Sequence, residues 1–292
     1  RERSASLVAD GEVEVEEISF DDNIILSDII KYNKEIGNNI FKTVIERICH
    51  TADKIYKIKE QIEDNIKLLK TYIAPLENLK LTGSNFNQLL QSFKKNATNN
   101  LDIIDNYLKK INNDYANLNE HITQENNIIS AKSIFYKKDS KDKNIYLLLK
   151  GKATILCNKL PIISFDKPNT VLADFRYFVD IEDEYKNYFE FIATDECKIK
   201  RISKSQFDNM LNNEPVLLSY LCKIISKILI AADTILIDYS NKNNLLTQLI
   251  ASDKNSLAEI YSNLQEMNIE DDDLTAEIQG FFEKLNKIKD KE

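Results

Sequence analysis

Two stretches of this chain copy each other, so the fold must hold the same unit twice. Val13-Glu-Val-Glu-Glu-Ile18-Ser19 is matched 184 residues later by Cys197-Lys-Ile-Lys-Arg-Ile202-Ser203. The same interval sets Leu7 on Phe191 and Ala9 on Ala193. After a four-residue shift near positions 20–27 the interval becomes 180. Asn33 then falls on Asn213, Ile36 on Val216, and Ala52-Asp53-Lys54-Ile55 on Ala232-Asp233-Thr234-Ile235. Each copy reads as a strand, a short loop and a long helix. One matched motif is common by chance; a shared interval over some forty positions is not.

The helix of the first copy starts near residue 34 and carries a seam. Ile48, Ile55, Ile62 and Leu69 recur every seven residues, with Ala52, Ile66 and Ile73 in most partner positions and Lys59 interrupting the second series. Pro75 and Gly83 are expected to break it. From about Asn85 a second helix shows three-four spacing through Phe86, Leu90, Phe93, Ala97, Leu101, Ile104, Leu108, Ile111, Tyr115, Leu118 and Ile122. This is a coiled-coil period. It suits an antiparallel hairpin or pairing with another chain.

Residues 128–202 change character. Short β-prone runs replace the helical period: Ile128-Ile129, Ile134 to Tyr136, Ile145 to Leu149, Ala153 to Leu156, Leu160 to Phe165 and Phe189 to Ile192. Turn signals at 137–143, Lys150-Gly151 and 166–169 separate them. Such spacing predicts a barrel or sandwich. Residues 1–19 look like the last strands of a similar unit, and 20–32 like a short apolar helix or turn. Residues 205–240 are expected to be helical, and 243–292 to form two further amphipathic helices split around Glu270–Asp273.

Composition narrows the function. Hydrophobic residues are 43% of 292, a globular value, and only 5 Gly and 4 Pro favour long helices. The net charge is −8, and residues 241–292 hold six Lys against eleven Asp or Glu. Nucleic acid is therefore not an expected partner. No apolar run has the length of a membrane span and no signal peptide is visible, so a membrane is not expected either. Cys49, Cys157, Cys197 and Cys222 lack metal spacing and read as buried free thiols of a cytoplasmic protein. His50 and His121 are the two histidines and read as solvated helix positions. There is no nucleophile–base set, metal cluster or glycine-rich phosphate loop, so an enzyme is not expected.

Arg3-Ser4-Ala5-Ser6-Leu7-Val8-Ala9 is an arginine, three small residues, an apolar residue, any residue and alanine. This order resembles the end of the phosphate-binding cassette of cyclic-nucleotide-binding domains. A cyclic phosphate suits a forked, delocalised cation with small neighbours that let backbone approach. The resemblance implies that Arg3, Ser4 and Ala5 bind the ligand, Ser4 through its hydroxyl. It covers a whole domain at about 118–240. Phe135, Asp139, Ile145-Tyr146 and Gly151 fit the opening of the β-roll, although Lys138 stands where the family has glycine. Where the family writes Gly-Glu plus apolar residues, this chain writes Ala173-Asp174-Phe175-Arg176-Tyr177-Phe178. The repeat sets Asn187 on Arg3, and Tyr188, Phe189 and Glu190 on Ser4, Ala5 and Ser6.

Burying a phosphate without a cation is costly, so the second pocket is expected to be degenerate at Ala173, Asp174, Asn187, Tyr188 and Phe189. Rings at 188 and 189, or residues packed on them, are expected to fill it. Arg176 reads as a solvated surface side chain near the acids Asp180, Glu182, Asp183 and Glu184, themselves a solvated loop.

The expected fold class is α+β: an antiparallel β-roll of the cyclic-nucleotide-binding type flanked by helices, with a long helical hairpin or coiled-coil linker and C-terminal helices. Expected units are 1–45, the remnant of a first such domain; 46–125, the linker; 126–240, a second, degenerate domain; and 241–292, a helical segment. The chain does not begin with Met and is expected to be a fragment, with the first glycine turn and ribose-binding carboxylate upstream. The resemblance implies a regulatory protein whose first domain senses a cyclic nucleotide, in the full-length protein only, and whose helices carry the signal or assemble with a copy or protein partner. A structural scaffold that binds no nucleotide is the alternative.

Overall fold

A computed structural model describes residues 34–77 and 127–266, with single positions and short runs between 91 and 120. Arg3, Ser4 and Ala5, the apolar segment at 20–32 and the split at Glu270–Asp273 lie outside the described residues. In chain order the elements are α1 (Lys34–Glu77), β1 (Asn119–Glu120), β2 (Ile128–Ile129), β3 (Ser133–Tyr136), β4 (Ile145–Lys150), β5 (Ala153–Cys157) and β6 (Leu160–Phe165). There follow β7 (Thr170–Leu172), a 3-10 turn (Phe175–Phe178), β8 (Phe189–Ala193), β9 (Cys197–Ile202), α2 (Lys204–Asn213) and α3 (Pro215–Glu266). The class is α+β.

The strands form two sheets, in the orders β1-β3-β8-β5-β6 and β2-β9-β4-β7. Every pairing is antiparallel except β1 with β3. The two sheets face each other across one core that includes Phe135, Tyr146, Leu148, Ile155, Phe191 and Ile199. β5 is buried along its whole length; it is apolar but for Thr154, whose hydroxyl is bonded to those of Ser164 and Thr194. β1 and β7 were not anticipated; at two and three residues they carry too little pattern to read.

Gly151 turns β4 into β5 at φ +95°, and a Cβ there would lie 2.3 Å from the Glu196 carbonyl oxygen. The turn between β8 and β9 thus occupies the space of a side chain. Asn158 and Lys159, at φ 49° and 63°, make the two-residue turn between β5 and β6, as a twisted hairpin requires.

The helices differ from expectation in two places. α1 runs two residues past Pro75, which sits in its last turn and ends the helix shortly after it rather than before it. The helix expected at 205–240 divides at Glu214, and its second part runs without a break to Glu266. Ser203 and Gln206 form a capping box that starts α2. Pro215 opens α3, where its missing N–H costs nothing. Asn241, Asn243 and Asn244 do not break α3, and Asn243 is engaged by α1: Asn65 donates to Asn243 at 3.0 Å and Asn243 donates to Gln61 at 3.2 Å.

The α1 seam faces α3 and the β5–β6 hairpin. Ile55, Ile62, Ile66 and Leu69 are buried with Leu160, Ala232, Tyr239 and Leu246. Leu108, from the helical residues between 91 and 113, joins them. Lys59 is buried in this seam, where its ammonium donates to the Asn158 carbonyl at 2.7 Å and pairs with Glu63 at 3.6 Å. Burial lowers its pKa, against the opposing pull of Glu63. The residue that interrupts the heptads pins the hairpin turn. Among the described residues no single helix is long and apolar enough to cross a membrane.

Gly151→Ala is expected to destabilise the fold by more than about 2 kcal/mol in urea unfolding, because strain at positive φ adds to the clash with Glu196. A stability within error of wild type would show that the turn opens freely.

Candidate functional site

The segment after β7 places a carboxylate at the start of the 3-10 turn. Asp174 caps it, and its Oδ1 accepts from the Arg176 backbone N–H at 3.2 Å. A two-residue step in so tight a turn brings the Arg176 side chain back over the same carboxylate. Nε donates to Oδ1 at 2.8 Å and Nη2 to Oδ2 at 2.5 Å. The fork is bidentate, the strongest geometry for such a pair. Nη1 donates to the carbonyls of Tyr185 and Glu182.

Arg176 is therefore not a solvated side chain: it is 7% exposed and Asp174 8%. Its partner is Asp174, not the acidic side chains of 180–184. Burial alone would lower its pKa, but the Asp174 carboxylate outweighs this and raises it.

Tyr136, from β3, donates its hydroxyl to Asp174 Oδ2 at 2.8 Å. Burial first, and the Asp174 charge second, push this phenol far above its usual range. Asn187 donates to the Tyr136 hydroxyl at 3.0 Å, and its own side-chain oxygen accepts from the Phe189 N–H at 2.9 Å. Asp174, Arg176, Tyr136 and Asn187 thus form one closed network.

A cavity of about 40 Å³ remains beside it, room for about one or two waters. Ala173, Asp174, Asn187 and Phe189 line it from the roll, and Ile45, Ile48, Cys49 and Ala52 from α1. Burial pushes the Cys49 thiol up to about 12, partly offset by Arg176. All four cysteines are free and buried. Among the described residues no group of His, Cys, Asp and Glu could hold a metal.

The structure brings together Ala173, Asp174, Asn187 and Phe189. Tyr188 turns outward, donating its hydroxyl to Asp53 of α1 at 2.8 Å and packing on Tyr56 with ring centroids 5.1 Å apart. Tyr185 meets His50 edge-on at 5.1 Å. Residues 185–188 therefore touch the buried network on one side and α1 on the other.

Sequence reading missed Arg176, Tyr136 and the α1 lining. A usable signal was present. Once Arg3 has no counterpart at 187, Asp174 needs another cation, and Arg176 is two residues away.

No family model matches the chain, and neither does any curated protein. Similar solved structures include CBD2 of PKAR bound to Sp-2Cl-cAMPS, at 14% identity over 35% of this chain and 66% of that one, TM-score 0.29. A mutant of CooA from Carboxydothermus hydrogenoformans matches at 12% identity over 36% of this chain and 44% of that one, TM-score 0.29. A transcriptional regulator from Thermotoga maritima matches at 20% identity over 39% of this chain and 89% of that one, TM-score 0.31. The matched part spans less than two thirds of the first two of these structures. The fold described above stands on its own strands and registers.

Removing one partner of a buried ion pair strands the other. Arg176→Met is expected to destabilise the fold by ~3–5 kcal/mol in urea, followed by tyrosine fluorescence, with part recovered in Asp174→Asn/Arg176→Met. No loss in the single variant would mean that water already reaches the pair.

At the outer contact, the hydrogen bond from Lys57, joined by that from Tyr188, outweighs burial and holds the Asp53 carboxyl below its ordinary value. A depressed folded value gives stability that is present above the unfolded pKa of about 4 and lost as pH falls through the folded one. An acid titration by circular dichroism should therefore be shallower in Asp53→Asn. Superimposed curves would remove Asp53 from the acid limb.

Proposed function

We propose that this chain is part of a regulatory protein of the cyclic-nucleotide-binding type. The first roll senses the nucleotide through Arg3, Ser4 and Ala5. The second roll binds none and serves as the rigid partner of the helices. One observation carries this reading: the polar groups aligned with a ligand's place in the second roll are joined to one another. Asp174 is held by Arg176 and Tyr136, Asn187 by Tyr136, and about 40 Å³ is left between them and α1. A cyclic nucleotide there would have to break a buried bidentate pair and bring its own charge past apolar walls, which is unfavourable.

In this proposal residues 1–45 close the first unit, 46–125 link, 126–240 form the second unit and 241–292 extend it. The 45/46 boundary falls inside α1, and Phe41 and Ile45 already pack with the second roll. A signal from the first roll would thus enter the second through one continuous helix. A ligand drives such a change only through different affinity for two helix positions. Ligand and helix-borne partners, a copy or another protein, act in the cytoplasm; nucleic acid, membrane and catalysis have no part in it.

The test is calorimetric titration of the full-length protein with cyclic AMP and cyclic GMP. Arg3→Ala is expected to weaken binding by ~2–4 kcal/mol, since truncation removes the charge-assisted bonds to phosphate. Equal affinity in wild type and Arg3→Ala would end the role of Arg3. No binding in either would favour the scaffold, in which both rolls serve assembly alone.

A further inference from the structure

α1 crosses the second roll and is fastened to it in two places. Near its start, Phe41 meets Phe175 of the 3-10 turn edge-on, with ring centroids 6.2 Å apart. Further along, His50 packs on Tyr185, while Asp53 and Tyr56 meet Tyr188. Between these fastenings Ile45, Ile48, Cys49 and Ala52 share one helix face, at positions i, i+3, i+4 and i+7. That face does not close fully on the roll. It bounds the cavity of about 40 Å³ beside Asp174 and Arg176. Ala52 on the helix and Ala173 on the roll are both small, and a longer side chain at either would take up the space.

The walls decide what the space can hold. Beyond the α1 face they include Ile155 of β5, Phe191 of β8 and Ile228 of α3. The polar neighbours are already bonded: Asp174 to Arg176, and Asn187 to Tyr136 and the Phe189 N–H. No buried side-chain nitrogen or oxygen lining the cavity lacks a partner. Burial pushes the Cys49 thiol up to about 12, so it stays neutral and packs as a small apolar group. A buried water needs about two to four polar partners, and these walls leave no buried side chain free to supply them. A void between apolar side chains forfeits dispersion contacts, which an apolar occupant restores. A charged or hydrogen-bonding occupant would lose its water and gain no partner.

We infer that this cavity is a binding site for a small, neutral, apolar molecule of about one or two non-hydrogen atoms, and that its occupant fastens α1 to the second roll. Dioxygen and the lightest hydrocarbons belong to this class. Because α1, α3 and the roll all supply walls, the occupant is held only while α1 lies in place, and its binding favours that arrangement. Neither a first roll nor a bound nucleotide is needed for this.

The test uses the whole chain with its isoleucine methyls labelled for NMR, titrated with xenon and, separately, with ethane. Saturable shifts are expected at Ile45, Ile48, Ile155 and Ile228, and not at Ile62 or Ile199, which do not line the cavity. Methanol, similar in size but hydrogen-bonding, should give none at equal concentration. With xenon at twice its dissociation constant, amide exchange at 45–52 should slow about threefold, the factor 1 + [L]/Kd. Ala173→Val fills the space and should abolish the shifts. Ile48→Ala widens it and should admit benzene, which the wild-type cavity is too small to hold; this variant decides the matter if Ala173→Val does not fold. No saturable shift at the four methyls, equal shifts at every isoleucine, or methanol as effective as ethane would each overturn the inference. So would unchanged exchange at 45–52, a folded Ala173→Val that keeps the shifts, or a folded Ile48→Ala that takes up no benzene.

Discussion

A carboxylate taken out of water must find a cation or give up its charge, and much of the second roll follows from how Asp174 does so. Its cation comes from Arg176, two residues along a 3-10 turn. The rest of that guanidinium reaches the Tyr185 carbonyl, which anchors the segment carrying Asn187 and Tyr188. Asn187 then returns to the network through Tyr136, and Tyr188 leaves it for Asp53 on α1. One neutralised charge therefore ties the cassette turn, a loop and the long helix together. An ion pair of this kind adds little net stability over an apolar core, but breaking it is costly. Its main effect is to fix one arrangement.

The helices show the same division between fastening and specification. Apolar seam residues such as Ile55, Ile62 and Leu246 supply the burial. Polar contacts set the register: Asp233 receives Arg47 and Thr51, and Asn243 meets both Asn65 and Gln61. Lys59 belongs with these. It is a poor seam residue by hydrophobicity, yet its bond to the Asn158 carbonyl fixes where the β5–β6 hairpin meets α1. The copies in the sequence and the pairing in space share one interval, so α1 and α3 meet in register.

Much of this was legible in advance. Apart from the three-residue β7, the strands from Ile128 to Ile202 stand where alternation and turn residues put them, because a half-buried strand with tight turns leaves a strong local pattern. The α1 seam was legible for the same reason. Arg176 was not: burial of an arginine depends on a partner's position after folding, and surface exposure is its usual state. The continuity of α3 past residue 240 was also missed. A run of asparagines looks like a break until Asn243 is seen bonded across to α1. The repeat interval could be read from the sequence, but that copies would lie side by side could not, since two like helices may equally face away from each other. At the site, Ala173 and Asp174 were singled out where the resemblance expects Gly-Glu, and Asn187 and Phe189 by alignment with the first copy. The closing contribution of Ile45, Ile48 and Cys49 was hidden because those residues precede Ala173 and Asp174 by more than a hundred positions.

Equilibrium dialysis of the 292-residue chain against labelled cyclic AMP and cyclic GMP bears most directly on a second roll closed by its own ion pair. The account expects no saturable binding that depends on Asp174 or Arg176, so that wild type, Asp174→Asn and Arg176→Met give the same isotherm. Saturable binding in wild type that vanishes in either variant, while circular dichroism shows the variant still folded, would mean that the network opens to take a nucleotide and would contradict it.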